Sequence, residues 1–286
     1  MRSFIKKRPA TAYFTLTFIV SWIGIVAVSI FLGMPTTSTI FENYGPLALI
    51  PFLLGPMSVG LYATNVLYGK EGFKNLKRRL FNWKIKARWY LLAVLTIPAF
   101  IALWLLILNQ FSDQFIPKFY FQEDKTTFVM TGILTGLIGG GFFEEMGWTG
   151  FAIPLLRKKW SVLRTGLTLG LIWGVWHFLP VYWGSGDEFG VISWSSFLPG
   201  LFSHYAVLIP FRVIQVWLHE KTNSMIPVML FHSTLTSFAL FLFGIVADGW
   251  ACLIYYAGIA VFLWTIVFIL YKKRQLGCRN SIWVKQ

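Results

Sequence analysis

The stretch KIKARWYLLAVLTIPAFIALWLLILNQ, residues 84–110, decides the fold class. Three of its first five residues are basic, and residues 89–110 then carry no charged side chain. As a helix rising ~1.5 Å per residue, that run covers a little over ~30 Å, the thickness of a bilayer's hydrocarbon core. A segment of this kind reads as a membrane span held at one end by its Lys and Arg.

Seven further stretches on either side read the same way. They are Ala10–Leu32, Gly45–Leu67, Phe128–Trp148, Leu163–Trp183, Phe197–Trp217, Met225–Phe243 and Trp250–Tyr271. Several contain Pro or Gly, which neighbouring helices tolerate in a membrane. Composition agrees. The chain is 56% hydrophobic and only 13% charged, with mean hydropathy +0.64, against about 25% charged residues in a soluble domain. Fourteen Trp and 28 Phe suit aromatic belts at the two interfaces.

The formal net charge of +14 would suggest nucleic acid in a soluble protein. Here the basic residues lie in short clusters between apolar runs, no nucleic-acid-binding motif appears, and topology is the simpler reading. The N-terminal tail holds Arg2, Lys6, Lys7 and Arg8, and the following loop has no Lys or Arg. Eight basic residues then fall between Lys70 and Arg88. The next loop is mixed (Asp113, Lys118, Glu123, Asp124, Lys125), and the one after it carries Arg157, Lys158, Lys159 and Arg164. Asp187 and Glu188, then Glu220 and Lys221, then Asp248 mark the remaining loops, and the tail has Lys272, Lys273, Arg274, Arg279 and Lys285. Basic and non-basic loops alternate, so the expectation is an all-α polytopic membrane bundle of eight transmembrane helices with both termini cytoplasmic.

The first span is too long for a signal-peptide core and lacks a small-residue cleavage site, so it is expected to be retained. Cys252 and Cys278 form no paired framework. The segment Lys70–Arg88 interleaves Phe73, Leu76, Leu80, Phe81 and Trp83 with its charges. It reads equally as an amphipathic surface segment touching anionic lipid or as a solvated loop.

Ionisable side chains inside spans are costly and therefore usually functional. Glu144 and Glu145 lie in the fourth stretch, His177 in the fifth, His204 and Arg212 in the sixth, and His232 in the seventh. Glu144 is thirteen residues before Arg157, His177 thirteen after Arg164 and His232 eleven after Lys221. Along continuous helix these separations are ~20, ~20 and ~16 Å, so three helices bring a carboxylate and two imidazoles to one level. Two adjacent carboxylates cannot both stay ionised in low dielectric without compensation, and on a helix they point about 100° apart. One is expected to face a site and the other to brace the fold. His204, fifteen residues before His219, reaches a similar depth, ~22 Å. It reads as a cavity residue that binds substrate or as a buried polar contact. His219, beside Glu220, reads as interfacial.

At these residues the chain resembles the CPBP intramembrane proteases, which include the type II CAAX prenyl endopeptidases and the Abi proteins linked to bacteriocin self-immunity. That family carries EExxxR, an aromatic-xxx-His and HxxxN in order on successive helices. Here the motifs read Glu144-Glu145-Met-Gly-Trp-Thr149, Trp173-Gly-Val-Trp-His177 and His232-Ser-Thr-Leu-Thr236. The likeness spans Phe128 to Phe243, so residues 1–127 read as three leading spans, 128–243 as the core, and 244–286 as the last span with a basic tail, all one structural domain. Thr149 stands where the family has Arg, and Thr236 where it has Asn. An Arg at 149 would be placed for an i,i+4 ion pair with Glu145. Without it Glu145 needs another partner, for which Arg212 is a candidate.

The resemblance implies an intramembrane endopeptidase acting on peptide or protein substrates. Glu144 would be general base, His177 would hold the water, and His232 with Thr236 would donate to the oxyanion. Glu145, Thr149 and Trp173 would support them, and His204 and Arg212 would line the substrate cavity. No cofactor is expected. A variant makes Glu144, His177 and His232 a His₂Glu zinc set, although no HExxH is present. A second class is a non-catalytic scaffold or immunity-type protein binding a peptide or helix through a degenerate site, and a third is a proton-coupled transporter. A CAAX peptide is the expected substrate where proteins are prenylated. A signal peptide, pheromone or bacteriocin leader is expected in a prokaryote, where the protein would sit in the plasma membrane.

Overall fold

Lipid offers no hydrogen-bond partner to a backbone, so an apolar chain crossing it must satisfy every N–H and C=O internally. A computed structural model describes residues 1–247 and 249–277; Asp248, Cys278, Arg279 and Lys285 lie outside the described residues. All eight apolar stretches are helical. They form α1 (Pro9–Leu32), α2 (Ser38–Leu80), α3 (Ala87–Leu108), α4 (Lys125–Arg157), α5 (Val162–Trp183), α6 (Trp194–Thr222), α7 (Ile226–Leu242) and α8 (Gly249–Lys272). A six-residue helix, Arg2–Lys7, leads into α1. Among the described residues the only β-type pairings are isolated bridges.

Seven of these helices are long and apolar enough to cross a membrane, and the eighth, α7, is shorter at seventeen residues. Its Leu235–Leu242 half is π-wound, which reduces its reach further. Apolar side chains face outward in numbers that water would not tolerate: Ile30 is 75% exposed and Leu106 64%. The chain is a multi-pass integral membrane protein.

The basic loops converge on one face. Arg157 pairs with Glu220 at 3.1 Å, and Lys221 donates to Gln275. Asn82 donates to the carbonyls of Thr222 and Asn223, and Leu163 N–H to Leu276 O. The acidic and uncharged loops join separately. Thr36 N–H donates to Trp183 O, and Ser38 N–H to Asp187 O.

Two local features place the functional helices. Gly166, Gly170 and Gly174 recur every four residues along α5 and face Val213, Ile209 and Tyr205 of α6. A Cβ at Gly170 would come within 2.7 Å of the Ile209 Cα and 3.4 Å of the Arg212 Cβ. The missing side chains let the two backbones approach closely, the usual role of small residues between membrane helices. In α4, residues Thr135–Glu144 and Trp148–Ala152 are π-wound around a short α turn, Glu145–Gly147. The depth ruler assumed unbroken α-helix, and this winding breaks it between Glu144 and Arg157. π segments widen a helix and re-aim its side chains, and they recur at functional positions.

The segment after Gly69 is neither a plain solvated loop nor a free surface helix. Gly69 takes φ +54°, a left-handed value that suits glycine, and breaks α2 there. The helix then resumes to Leu80. Leu76 and Arg79 are buried, and Arg79 donates to the carbonyls of Thr149 (3.2 Å) and Gly150 (2.7 Å) in π-wound α4. Phe81 and Trp83 remain exposed.

Candidate active site

The two adjacent glutamates part as their spacing requires. Glu144 turns toward α5, where its Oε2 accepts a 2.6 Å hydrogen bond from Trp173 Nε1. Its Oε1 lies 4.0 Å from His177 Nε2. His177 donates from Nδ1 to the Trp173 carbonyl over 2.9 Å, because a carbonyl can only accept. In the neutral ring this leaves the Nε2 lone pair facing Glu144. A 4.0 Å separation is too long for a direct hydrogen bond and fits one water shared between the two groups.

Glu145 turns the other way and is fully buried. Its Oε1 accepts from Arg212 Nη1 at 2.8 Å, Gln215 Nε2 at 3.0 Å and His232 Nδ1 at 2.7 Å. Its Oε2 accepts from the Thr149 hydroxyl and from Arg212 Nη1 at 3.0 Å. A buried carboxylate needs this density of donors to offset its desolvation. Arg212 therefore comes from α6 to the place that an arginine at 149 would have filled, and Thr149 adds a hydroxyl. Gln215, three residues after Arg212 and on the same helical face, completes the set.

Trp173 joins the two halves. Its N–H serves Glu144, the Arg212 guanidinium sits 4.1 Å above its ring, and its edges meet His177 and His232 at centroid distances of 5.1 and 5.0 Å. With Nδ1 held by Glu145, His232 turns Nε2 toward Gly140 of α4. A Cβ at Gly140 would lie 2.9 Å from His232 Nε2 and 2.8 Å from Thr236 Oγ1. The glycine thus leaves a cradle walled by two polar atoms that can both donate.

His204 lies beside the site, its ring centroid 5.1 Å from that of His177. Its Nε2 is buried with no hydrogen-bond partner among the described residues. Arg212 is not a lining residue of an open cavity: it is wholly buried and committed to Glu145 and Trp173. His219 is likewise fully buried. For a zinc ion the donors are badly disposed. Among the described residues no three His, Cys, Asp or Glu side chains converge as a metal set.

Sequence reasoning brought Glu144, Glu145, Thr149, Trp173, His177, His232 and Thr236 to one neighbourhood, with His204 at its edge. It missed Gln215, Gly140 and Arg79. Gln215 could have been found as a second polar residue one turn from Arg212 in the otherwise apolar run of residues 206–218.

Comparison with known proteins bears on these same residues. CAAX prenyl protease 2 of Methanococcus maripaludis is 27% identical over 225 residues, covering 77% of this chain and 80% of that protein. Residues 125–238 match the family described as type II CAAX prenyl endopeptidase Rce1-like. That segment contains all three motifs from Glu144 to Thr236, so the core of this chain is similar to the Rce1-like type II CAAX prenyl endopeptidases.

Proposed function

We propose that the chain is an intramembrane endopeptidase in which Glu144 activates a water held between it and His177, while His232 and Thr236 receive the oxyanion. The carrying observation is the Glu144–His177 gap of 4.0 Å together with the Gly140 cradle. Glu144 takes a proton from the water, and the water oxygen bonds to the scissile carbonyl carbon. The carbonyl oxygen becomes an oxyanion in the cradle, where fixed donors favour it over the ground state. Collapse breaks the C–N bond, and Glu144 returns its proton to the leaving amine.

Thr236 can donate its hydroxyl directly. His232 donates from Nδ1 to Glu145, which turns Nε2 toward the cradle as the second donor. Glu145, Arg212, Gln215 and Thr149 act as positioning residues for His232. The donor geometry supports a metal-free reaction, which predicts that chelators leave activity unchanged in metal-free buffer.

The family and the relative's name support a peptide or protein substrate held at the membrane, with a prenylated CAAX peptide as the first to try. The deciding experiment compares the full-length wild type with Glu144→Gln in lipid nanodiscs. It follows cleavage of a farnesylated CAAX peptide and of membrane-derived peptides by mass spectrometry. Equal cleavage by both proteins would remove Glu144 from this role. A scaffold or immunity-type reading draws on the shorter reach of Thr236 relative to Asn, and it predicts a cellular phenotype that survives Glu144→Gln.

A further inference from the structure

On the basic face, away from Glu144, a cavity of about 510 Å³ opens between the end of α2 and the end of α4. Its lining carries four basic residues, Lys74, Arg78, Arg79 and Lys158, against one acid, Glu71. Phe151 and Leu155 supply apolar wall, so the pocket is cationic in part and greasy in part. Lys158 Nζ sits 4.9 Å above the Tyr68 ring and donates to its hydroxyl at 3.4 Å, which holds the ammonium at the wall. Tyr68, 40% exposed, lines the pocket as interfacial tyrosines do. The break at Gly69 folds the Lys74–Arg79 turn back over α4, and Arg79 fastens it through the Thr149 and Gly150 carbonyls.

We infer that this pocket binds the phosphate-bearing headgroup of an anionic phospholipid, with Lys74, Arg78 and Lys158 around the phosphate and the upper acyl chain against Phe151 and Leu155. Three observations favour a lipid over a soluble anion. The charge lies on the face that the Lys and Arg loops assign to the cytoplasmic leaflet, which is the anionic one. The wall is apolar where a soluble anion would have nothing to bury. The partly exposed Tyr68 in the lining suits the headgroup level. Because Arg79 ties this pocket to the backbone of the helix that carries the glutamates, an occupied pocket would also steady the site from behind.

The test titrates short-chain phosphatidylglycerol into the purified full-length protein in neutral detergent and follows the thermal unfolding midpoint. Parallel titrations use short-chain phosphatidylcholine and inorganic phosphate. A saturable upward shift with phosphatidylglycerol alone is expected. Each basic residue facing an anionic lipid is worth about fivefold in binding, so Lys74→Gln with Lys158→Gln should weaken it about 25-fold. The charge-matched control, Lys84→Gln with Lys86→Gln, removes two cations outside the pocket and should bind as the wild type does. Equal weakening in both double variants would overturn the proposal, since any cation would then serve. So would a shift of equal size with inorganic phosphate or phosphatidylcholine. Should the double variant fail to fold, Lys158→Glu alone carries the test, and unchanged binding by it rejects the site.

Discussion

Arg212 and Glu145 lie 2.8 Å apart with both side chains withdrawn from solvent, although the two residues are 67 positions apart in sequence. The ion pair supplies from α6 the charge that Thr149 does not supply from α4. It also sets Glu145 so that the same oxygen receives His232. Removing one member of a buried pair leaves the other charge uncompensated, at a cost of about 3–5 kcal/mol. Arg212→Gln is therefore expected to lower the unfolding midpoint sharply. In the Glu145→Gln background the same change should cost much less, and a double-mutant cycle by thermal unfolding in detergent measures that coupling.

The two glutamates should separate function from stability. Glu144→Gln keeps an oxygen able to accept from Trp173, so folding should change little while cleavage falls about 10²–10⁴-fold with loss of the base. Glu145→Gln loses the charge that faces both Arg212 and His232, so stability and cleavage should fall together. Paired measurement of unfolding midpoint and turnover distinguishes them. Two variants that lose stability equally would contradict the division of labour.

The α5–α6 approach depends on the glycine stripe rather than on any charged contact. Gly170→Val would drive a side chain into the Ile209 backbone, 2.7 Å from where its Cβ must sit, and push Arg212 away from Glu145. Overpacking of this kind costs about 1–3 kcal/mol before the ion pair is counted. The expected result is a destabilised protein with impaired cleavage. Leu171→Val, at a half-exposed neighbour on the same helix, should leave both unchanged.

The sequence made the helical class and the core of the site legible for specific physical reasons. Apolar runs such as residues 89–110 have one stable form in lipid, and ionisable side chains such as Glu144 and His177 are conspicuous because the surrounding spans have so few. The four-residue spacing of Gly166, Gly170 and Gly174 was equally visible, and it marks the α5–α6 contact. What could not be read locally was the winding of α4. π segments form where tertiary packing re-registers a helix, and no side-chain period announces them. For the same reason a depth measured along ideal helix is only a guide; the site assembles through Arg212, Gln215 and Trp173, whose partners lie on other helices. Arg79 looked like one more charge in a basic loop. Only its burial against the Thr149 and Gly150 carbonyls separates it from Arg78 beside it.

The Gly140 cradle yields the sharpest test of the oxyanion assignment, because it can be filled without replacing a polar side chain. Gly140→Ala places a methyl group 2.8 Å from Thr236 Oγ1 and 2.9 Å from His232 Nε2, so both donors must shift from the positions proposed to receive the oxyanion. Alanine is about 1 kcal/mol better than glycine inside a helix, which offsets part of the crowding, so the net stability change should be small. Turnover should nonetheless fall by about 10²-fold or more, the scale of losing an oxyanion donor. Thr236→Val keeps the shape and removes the hydroxyl, so it should lose turnover on a similar scale with unchanged folding. Thr236→Asn carries a longer donor toward the same space and should retain activity. Wild-type turnover from both Gly140→Ala and Thr236→Val would move the oxyanion elsewhere. Turnover lost only in Gly140→Ala would leave His232 as the sole donor.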